Sequence, residues 1–220
     1  MKRKWDYLDQ AFANRLALML SSEYSERKEA LRTLCKAFGR AHIRWALNCS
    51  ANLFLRGFVD DFDDIDVLLY IDDAEKACSS LEQAGGKLVD TVQKPYFTSG
   101  FYQEAYIGKV HLDLVGDFTV ATFGTEYMYP VSEKEISFVS LDQDIQVPLC
   151  PVEANLLLYG MMEGWQSKRR FKRQICFDYL LIQGLEYPEV LEKALKDFSL
   201  PFFLKEVVLA LLKKSEDEAE

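Results

Sequence analysis

A pair of carboxylates leads directly into an unbroken apolar run: Asp64-Ile65-Asp66 is followed by Val67-Leu68-Leu69-Tyr70-Ile71. A short apolar run of this kind fits a buried strand, and on a strand residues two apart share a face. Asp64 and Asp66 therefore project together. Two like charges a few ångströms apart in a partly desolvated place repel by several kcal/mol at an effective dielectric of roughly 20. The arrangement persists only when a cation or a proton neutralises it.

A second strand pattern supplies a third carboxylate. In Lys109-Val110-His111-Leu112-Asp113-Leu114-Val115, the residues His111, Asp113 and Val115 share one face and Val110, Leu112 and Leu114 the other. Asp113 is then a polar residue inside an apolar strand. Mg²⁺ suits such a group, because it is a hard ion that takes carboxylate, phosphate and water oxygens. His111 reads as a strand residue with an ordinary hydrogen bond, since no Cys or His stands at zinc spacing near it. Taken alone, an Asp-Asp-Ile-Asp run in an acidic chain also fits a solvated turn.

Upstream, Leu47-Asn48-Cys49-Ser50-Ala51-Asn52-Leu53-Phe54-Leu55-Arg56-Gly57 places Ser50 fourteen residues before Asp64. Together these segments resemble the nucleotidyltransferase superfamily of polymerase-beta-like fold, which includes aminoglycoside, lincosamide and minimal nucleotidyltransferases. That family's pattern is a strand, a Gly-Ser turn opening a short helix, an Asp-x-Asp strand, and a later strand with one more Asp. The resemblance covers roughly residues 40–120 well.

The resemblance implies a role for each matching position. Asp64, Asp66 and Asp113 would be catalytic and would bind one or two Mg²⁺ ions, with Asp113 helping to take the proton of an acceptor hydroxyl. Ser50 would hold a phosphate oxygen at the helix start, where free N–H groups favour an anion; an N-cap role is compatible with this. The substrate would be a nucleoside triphosphate, most simply ATP. The implied nucleotide-binding set is Ser50, Cys49, Arg56, Lys168, Lys172 and Arg173. Cys49 stands where the family has Gly, a residue that lets backbone approach phosphates closely. That departure leaves a weak or inactive nucleotide-binding or partner-binding protein of the same fold as the alternative.

Lys168, Arg169, Arg170, Lys172 and Arg173 put five positive charges in six residues of a chain whose net charge is -9. They stand at or just before a helix start, where cations oppose the helix dipole. Some of them are expected to reach across a cleft to a triphosphate or an anionic acceptor, with a solvated basic face as the other reading. Lys172-Arg173 looks like the family's Lys-Asp position in a C-terminal helix, with Arg in place of Asp.

The charge balance excludes a broad nucleic-acid surface and leaves room for a local tRNA contact. The acceptor is open between a small antibiotic-like molecule, RNA and a protein hydroxyl. Five scattered cysteines without metal spacing read as reduced thiols in a cytoplasmic protein. No run approaches the roughly 18 apolar residues of a membrane span, so no membrane partner is expected.

The expected class is α/β (α+β): a nucleotidyltransferase-like mixed sheet with flanking helices over residues 1–150, then a helical bundle over 151–214. Two N-terminal helices lie within 1–40, the first carrying Trp5, Leu8, Phe12, Leu16 and Met19. Strands are expected at 43–47, 87–92, 96–107, 109–115, 136–141 and 145–147, the last stopped by Pro148. Helices are expected at 73–84, from Pro151 to 163, and at about 171–184, 188–197 and 202–214. The acidic tail 215–220 is expected to stay disordered.

Overall fold

The computed structural model describes residues 18–93, 95–122, 124–164 and 169–219. The first expected helix therefore lies almost wholly outside the described residues. Helix α1 (Ser22–Arg40) is opened by Ser21, whose Oγ accepts from the Tyr24 amide at 3.0 Å. Its buried residues Arg27, Ala30, Leu31, Leu34 and Phe38 recur at the three- and four-residue spacing of one helix face.

The chain then builds β1 (Trp45–Asn48), the short helix α2 (Cys49–Leu55), β2 (Ile65–Leu69) and helix α3 (Ala74–Gln83). Four further strands follow as β3 (Lys87–Leu88), β4 (Phe101–Ile107), β5 (Val110–Gly116) and β6 (Phe118–Thr122). After them come β7 (Thr125–Tyr129), β8 (Ser137–Asp142) and β9 (Ile145–Leu149). The last third is helical, as α4 (Val152–Glu163), α5 (Arg169–Gln183), α6 (Pro188–Asp197) and α7 (Phe202–Ala219).

Seven strands form one mixed sheet in the order β3-β4-β5-β2-β1-β9-β8, and β6 pairs with β7 in a separate ribbon. The β2–β5 and β1–β9 pairs are parallel; β1–β2, β3–β4, β4–β5 and β8–β9 are antiparallel. One core lies on the face bearing Leu47, Ile65, Val67, Leu112 and Leu114, closed by α1 and α3. The second lies on the face bearing Ala46, Leu68 and Val115, closed by α4 and the β6–β7 ribbon. Helix α4 is buried along almost its whole length, because the sheet, the ribbon and the later helices surround it.

Three local expectations differ from the structure. The strand expected over 87–92 is regular only at Lys87–Leu88; the Val89 amide still donates to the Glu104 carbonyl, and side-chain bonds take over from there. Thr91 Oγ1 accepts from the Glu104 amide at 3.0 Å, and Gln103 Nε2 donates to the Val89 carbonyl at 2.6 Å. Pro148 does not stop β9; it faces Phe138, and the pairing with β1 lies beyond it, at Leu149 and the Cys150 amide. The acidic tail is helical through Ala219 rather than disordered from 215, since its Glu and Ala residues propagate a helix and no Gly or Pro interrupts them. Among the described residues, no helix is long and apolar enough to cross a membrane.

Candidate active site

The carboxylates meet because of register. Asp66 lies opposite Asn48 on β1 and beside Asp113 on β5, and Asp113 lies opposite Glu104 on β4. Directly paired residues on neighbouring strands point to the same face. Asn48, Asp66, Asp113 and Glu104 thus form one polar row across the middle of the sheet. One position along, Asp64 and His111 stand beside the row, and one donor atom from each of Asp64, His111 and Asp113 lie within 4.8 Å of one another.

Loop geometry brings Asp64 to this place. Arg27, buried on α1, donates to Asp61 Oδ1 at 2.5 Å, to the Phe62 carbonyl and to Glu23 Oε1 at 2.7 Å. Its guanidinium also lies over the Phe62 ring, 5.2 Å from the centroid. The segment ahead of Asp64 is therefore tied to α1 by a buried cation.

The electrostatics follow from crowding. Burial, then the neighbouring Asp64 and Asp113, push the Asp66 carboxyl well above the ordinary carboxylate range; Lys172 and Arg169 oppose this. Burial also raises Asp113, against the opposing pull of His111 and of the Tyr102 hydroxyl. Tyr102 Oη stands 3.1 Å from Asp113 Oδ1 and 2.9 Å from Glu104 Oε1, and with one proton it can donate fully to one of them at a time. Asp64, His111 and Asp113, whose donor atoms converge, fit a divalent cation, and Asp66 adds a neighbouring negative charge that such an ion would relieve. His111, read from sequence as an ordinary strand residue, belongs to this group because the β2–β5 register carries Asp64 to it.

The cleft over this row has a volume of about 160 Å³ and is walled by Cys49, Asp64, Asp66, Glu104, His111, Asp113, Arg169 and Lys172, with Tyr96, Phe97, Tyr102 and Phe118 supplying aromatic surface. Cys49 adopts φ 53°, the left-handed conformation that favours glycine, at the turn from β1 into α2. Its amide donates to Asn155 Oδ1 at 2.8 Å, which fixes the turn to α4. Ser50 is buried in the first turn of α2, and among the described residues the cleft wall there is formed by Cys49.

The basic run divides by helical phase. Arg169 and Lys172, three residues apart on α5, face the cleft, and each also lies over the Tyr159 ring. Arg173 donates to Glu163 Oε2 at 2.7 Å, and Arg170 stands 3.8 Å from the same carboxylate, so these two face α4. Arg56 is also turned away from the cleft. It donates to Asn52, Tyr179, Glu186 and Ser137, tying α2 to α5 and β8. Lys168 lies outside the described residues. Arg169 was detectable as the three-residue partner of Lys172, whereas Glu104 and Tyr102 depend on strand register.

A mixed sheet with paired carboxylates at its centre, a short helix after the first strand and a helical C-terminal part defines the nucleotidyltransferase fold, and this chain has it. The same fold occurs in a Thermotoga maritima protein described as a nucleotidyltransferase, at 19% identity and TM-score 0.54 over 68% of this chain and 94% of that one. It occurs also in the antibiotic-resistance factor ANT(2'')-Ia. The solution structure of that factor matches at 11% identity and TM-score 0.53, over 89% of this chain and 96% of the other. Its crystal structure with adenylyl-2''-tobramycin matches at 13% and 0.53, over 86% and 98%. No protein-family profile matches the sequence, and no curated protein is similar enough in sequence to count as a relative.

Proposed function

We propose that this protein is an Mg²⁺-dependent nucleotidyltransferase that moves a nucleoside monophosphate from a nucleoside triphosphate, ATP by preference, to a hydroxyl acceptor. One observation carries the reading: a row of in-register carboxylates faces two cations across a cleft, on a fold shared with nucleotidyltransferases. Asp64, Asp66 and Asp113, with His111, would hold Mg²⁺, which supplies charge neutralisation for the triphosphate. Arg169 and Lys172 are placed to take phosphate oxygens.

In the reaction, the acceptor hydroxyl oxygen bonds to the α-phosphorus while the bond from that phosphorus to the bridging oxygen of the β-phosphate breaks. Pyrophosphate leaves with the bond's electron pair. Asp113 takes the hydroxyl proton. The aromatic wall of Tyr96, Phe97 and Phe118 gives the acceptor or the base an apolar platform. ANT(2'')-Ia has been seen with an adenylylated antibiotic, which supports a small hydroxylated molecule ahead of RNA or protein as acceptor. The five cysteines are all unpaired, which supports a reducing, cytoplasmic setting.

The test is thermal unfolding of wild type and Asp66→Asn with each of four nucleoside triphosphates, with and without Mg²⁺. A ligand at 100 times its dissociation constant stabilises the folded state by roughly 2.7 kcal/mol. A shift that requires both Mg²⁺ and Asp66 supports the reading; no shift with any nucleotide refutes it.

A second reading, a nucleotide-binding protein without turnover, is favoured by the left-handed Cys49 in the cleft wall. Cys49→Gly separates the two. A gain in turnover assigns a working site hindered by this side chain, and nucleotide binding without turnover in both forms assigns a binding role.

A further inference from the structure

The polar row contains one residue with no task so far. Asn48 is fully buried, and neither its Oδ1 nor its Nδ2 has a hydrogen-bond partner among the described residues. It ends β1 directly opposite Asp66, so both side chains leave the sheet on the same face. Its backbone leads into α2, yet its side chain makes no capping bond there. A buried amide with both polar atoms unsatisfied destabilises the fold. An apolar residue would serve a purely structural strand better.

A second buried polar group flanks the same carboxylate. The Tyr159 hydroxyl on α4 is fully buried, and Cys49 and Asp66 are the groups that act on it most strongly. Polar groups from two elements thus stand beside Asp66, the carboxylate most crowded by its neighbours. On the same helix Asn155 receives the Cys49 amide, and Glu153 Oε1 accepts the amides of Glu186 and Tyr187 at 2.7 and 3.0 Å, while Glu153 Oε2 has no partner among the described residues.

We infer that Asn48 is a positioning residue for Asp66, its Nδ2–H donating to the carboxylate oxygen that a bound divalent cation leaves free. The Tyr159 hydroxyl provides a second donor from the helix side. This inference rests on the transferase reading above. A carboxylate has about four lone-pair sites, so one ion cannot use them all, and a fixed partner on the remaining ones sets its orientation.

The test is Mn²⁺ binding, read from loss of the free-ion EPR signal in the presence of a non-hydrolysable ATP analogue, on wild type, Asn48→Leu and Asn48→Ala. Melting temperatures of the metal-free proteins are measured alongside. Leu matches the branched shape of Asn without its polar atoms, and Ala excludes overpacking as the cause of any loss. The expected result is a loss of Mn²⁺ affinity of about tenfold or more in both variants. The metal-free Asn48→Leu protein is expected to melt about 2–4 °C above wild type. Mn²⁺ affinity within twofold of wild type in both variants overturns the inference, whatever the melting temperatures. A wild type that binds neither Mn²⁺ nor the analogue fails earlier, at the transferase reading, and takes this inference with it.

Discussion

The two faces of the central sheet are made from alternate residues of the same strands, and they differ in kind. One presents Leu47, Ile65, Val67, Leu69, Leu112 and Leu114 to α1 and α3. The other interleaves Ala46, Leu68 and Val115 with Asn48, Asp66, Asp113 and Glu104. Strand period alone makes this division possible, because a shift of one residue exchanges the faces. The apolar face supplies stability, and the polar row withdraws some of it to make a site.

The sharpest way to break this contrast is Asp66→Asn. Nucleotidyl transfer is expected to fall about 10³-fold, close to 4 kcal/mol in the barrier, in a single-turnover assay, while the metal-free protein becomes more stable. The pH dependence carries the same sign. Asp66 and Asp113 bind protons more tightly in the folded chain than their ordinary value of 3.8. Stability of the metal-free protein should therefore rise as the pH falls through the folded values towards 3.8, and be lowest above them. Asp66→Asn should flatten that slope in denaturant titrations; an unchanged slope would show that the row does not strain the fold.

On the opposite face, Leu112→Ala removes a fully buried side chain adjacent to Asp113 in sequence. The expected loss is about 3 kcal/mol of stability, with turnover per folded molecule within a few-fold of wild type. Equal loss of both would mean that the two faces are not separable. A smaller contrast lies on α5. Lys172→Ala should weaken nucleotide binding about tenfold, roughly 1.4 kcal/mol, with little change in melting temperature. Arg173→Ala should leave binding intact and destabilise by about 1–3 kcal/mol, because Glu163 loses its partner. The smallest effect is Cys49→Gly, expected to change stability by about 1 kcal/mol or less. Relief of the left-handed strain is offset by the greater freedom of glycine in the unfolded chain.

The sequence made the polar row partly visible. Asp64, Asp66 and Asp113 were legible because carboxylates inside apolar strands stand out against the period of two, and most helices followed their apolar spacing and end signals. His111 and Glu104 were not legible as site members, since only the β2–β5 and β4–β5 registers bring them to the row. Arg56 and Arg173 looked like nucleotide ligands because a charge in sequence does not reveal its partner; their partners come from α4, α5, β8 and the α5–α6 loop. The β6–β7 ribbon gave no clear alternation. Its buried Thr119 is satisfied locally, with Oγ1 donating to the Asp117 carbonyl at 2.7 Å and its amide donating to Ser99 Oγ at 3.0 Å.

The attachment of Arg173 to Glu163 also sets an angle. Neighbouring residues on a helix are about 100° apart around the axis, so a helix free to roll by one residue would carry Arg173 towards the cleft and Lys172 away from it. Glu163, holding Arg173 and attracting Arg170, works as a rotational stop for α5. An ion pair with no place in the chemistry thereby helps set which two of four neighbouring cations face the cleft.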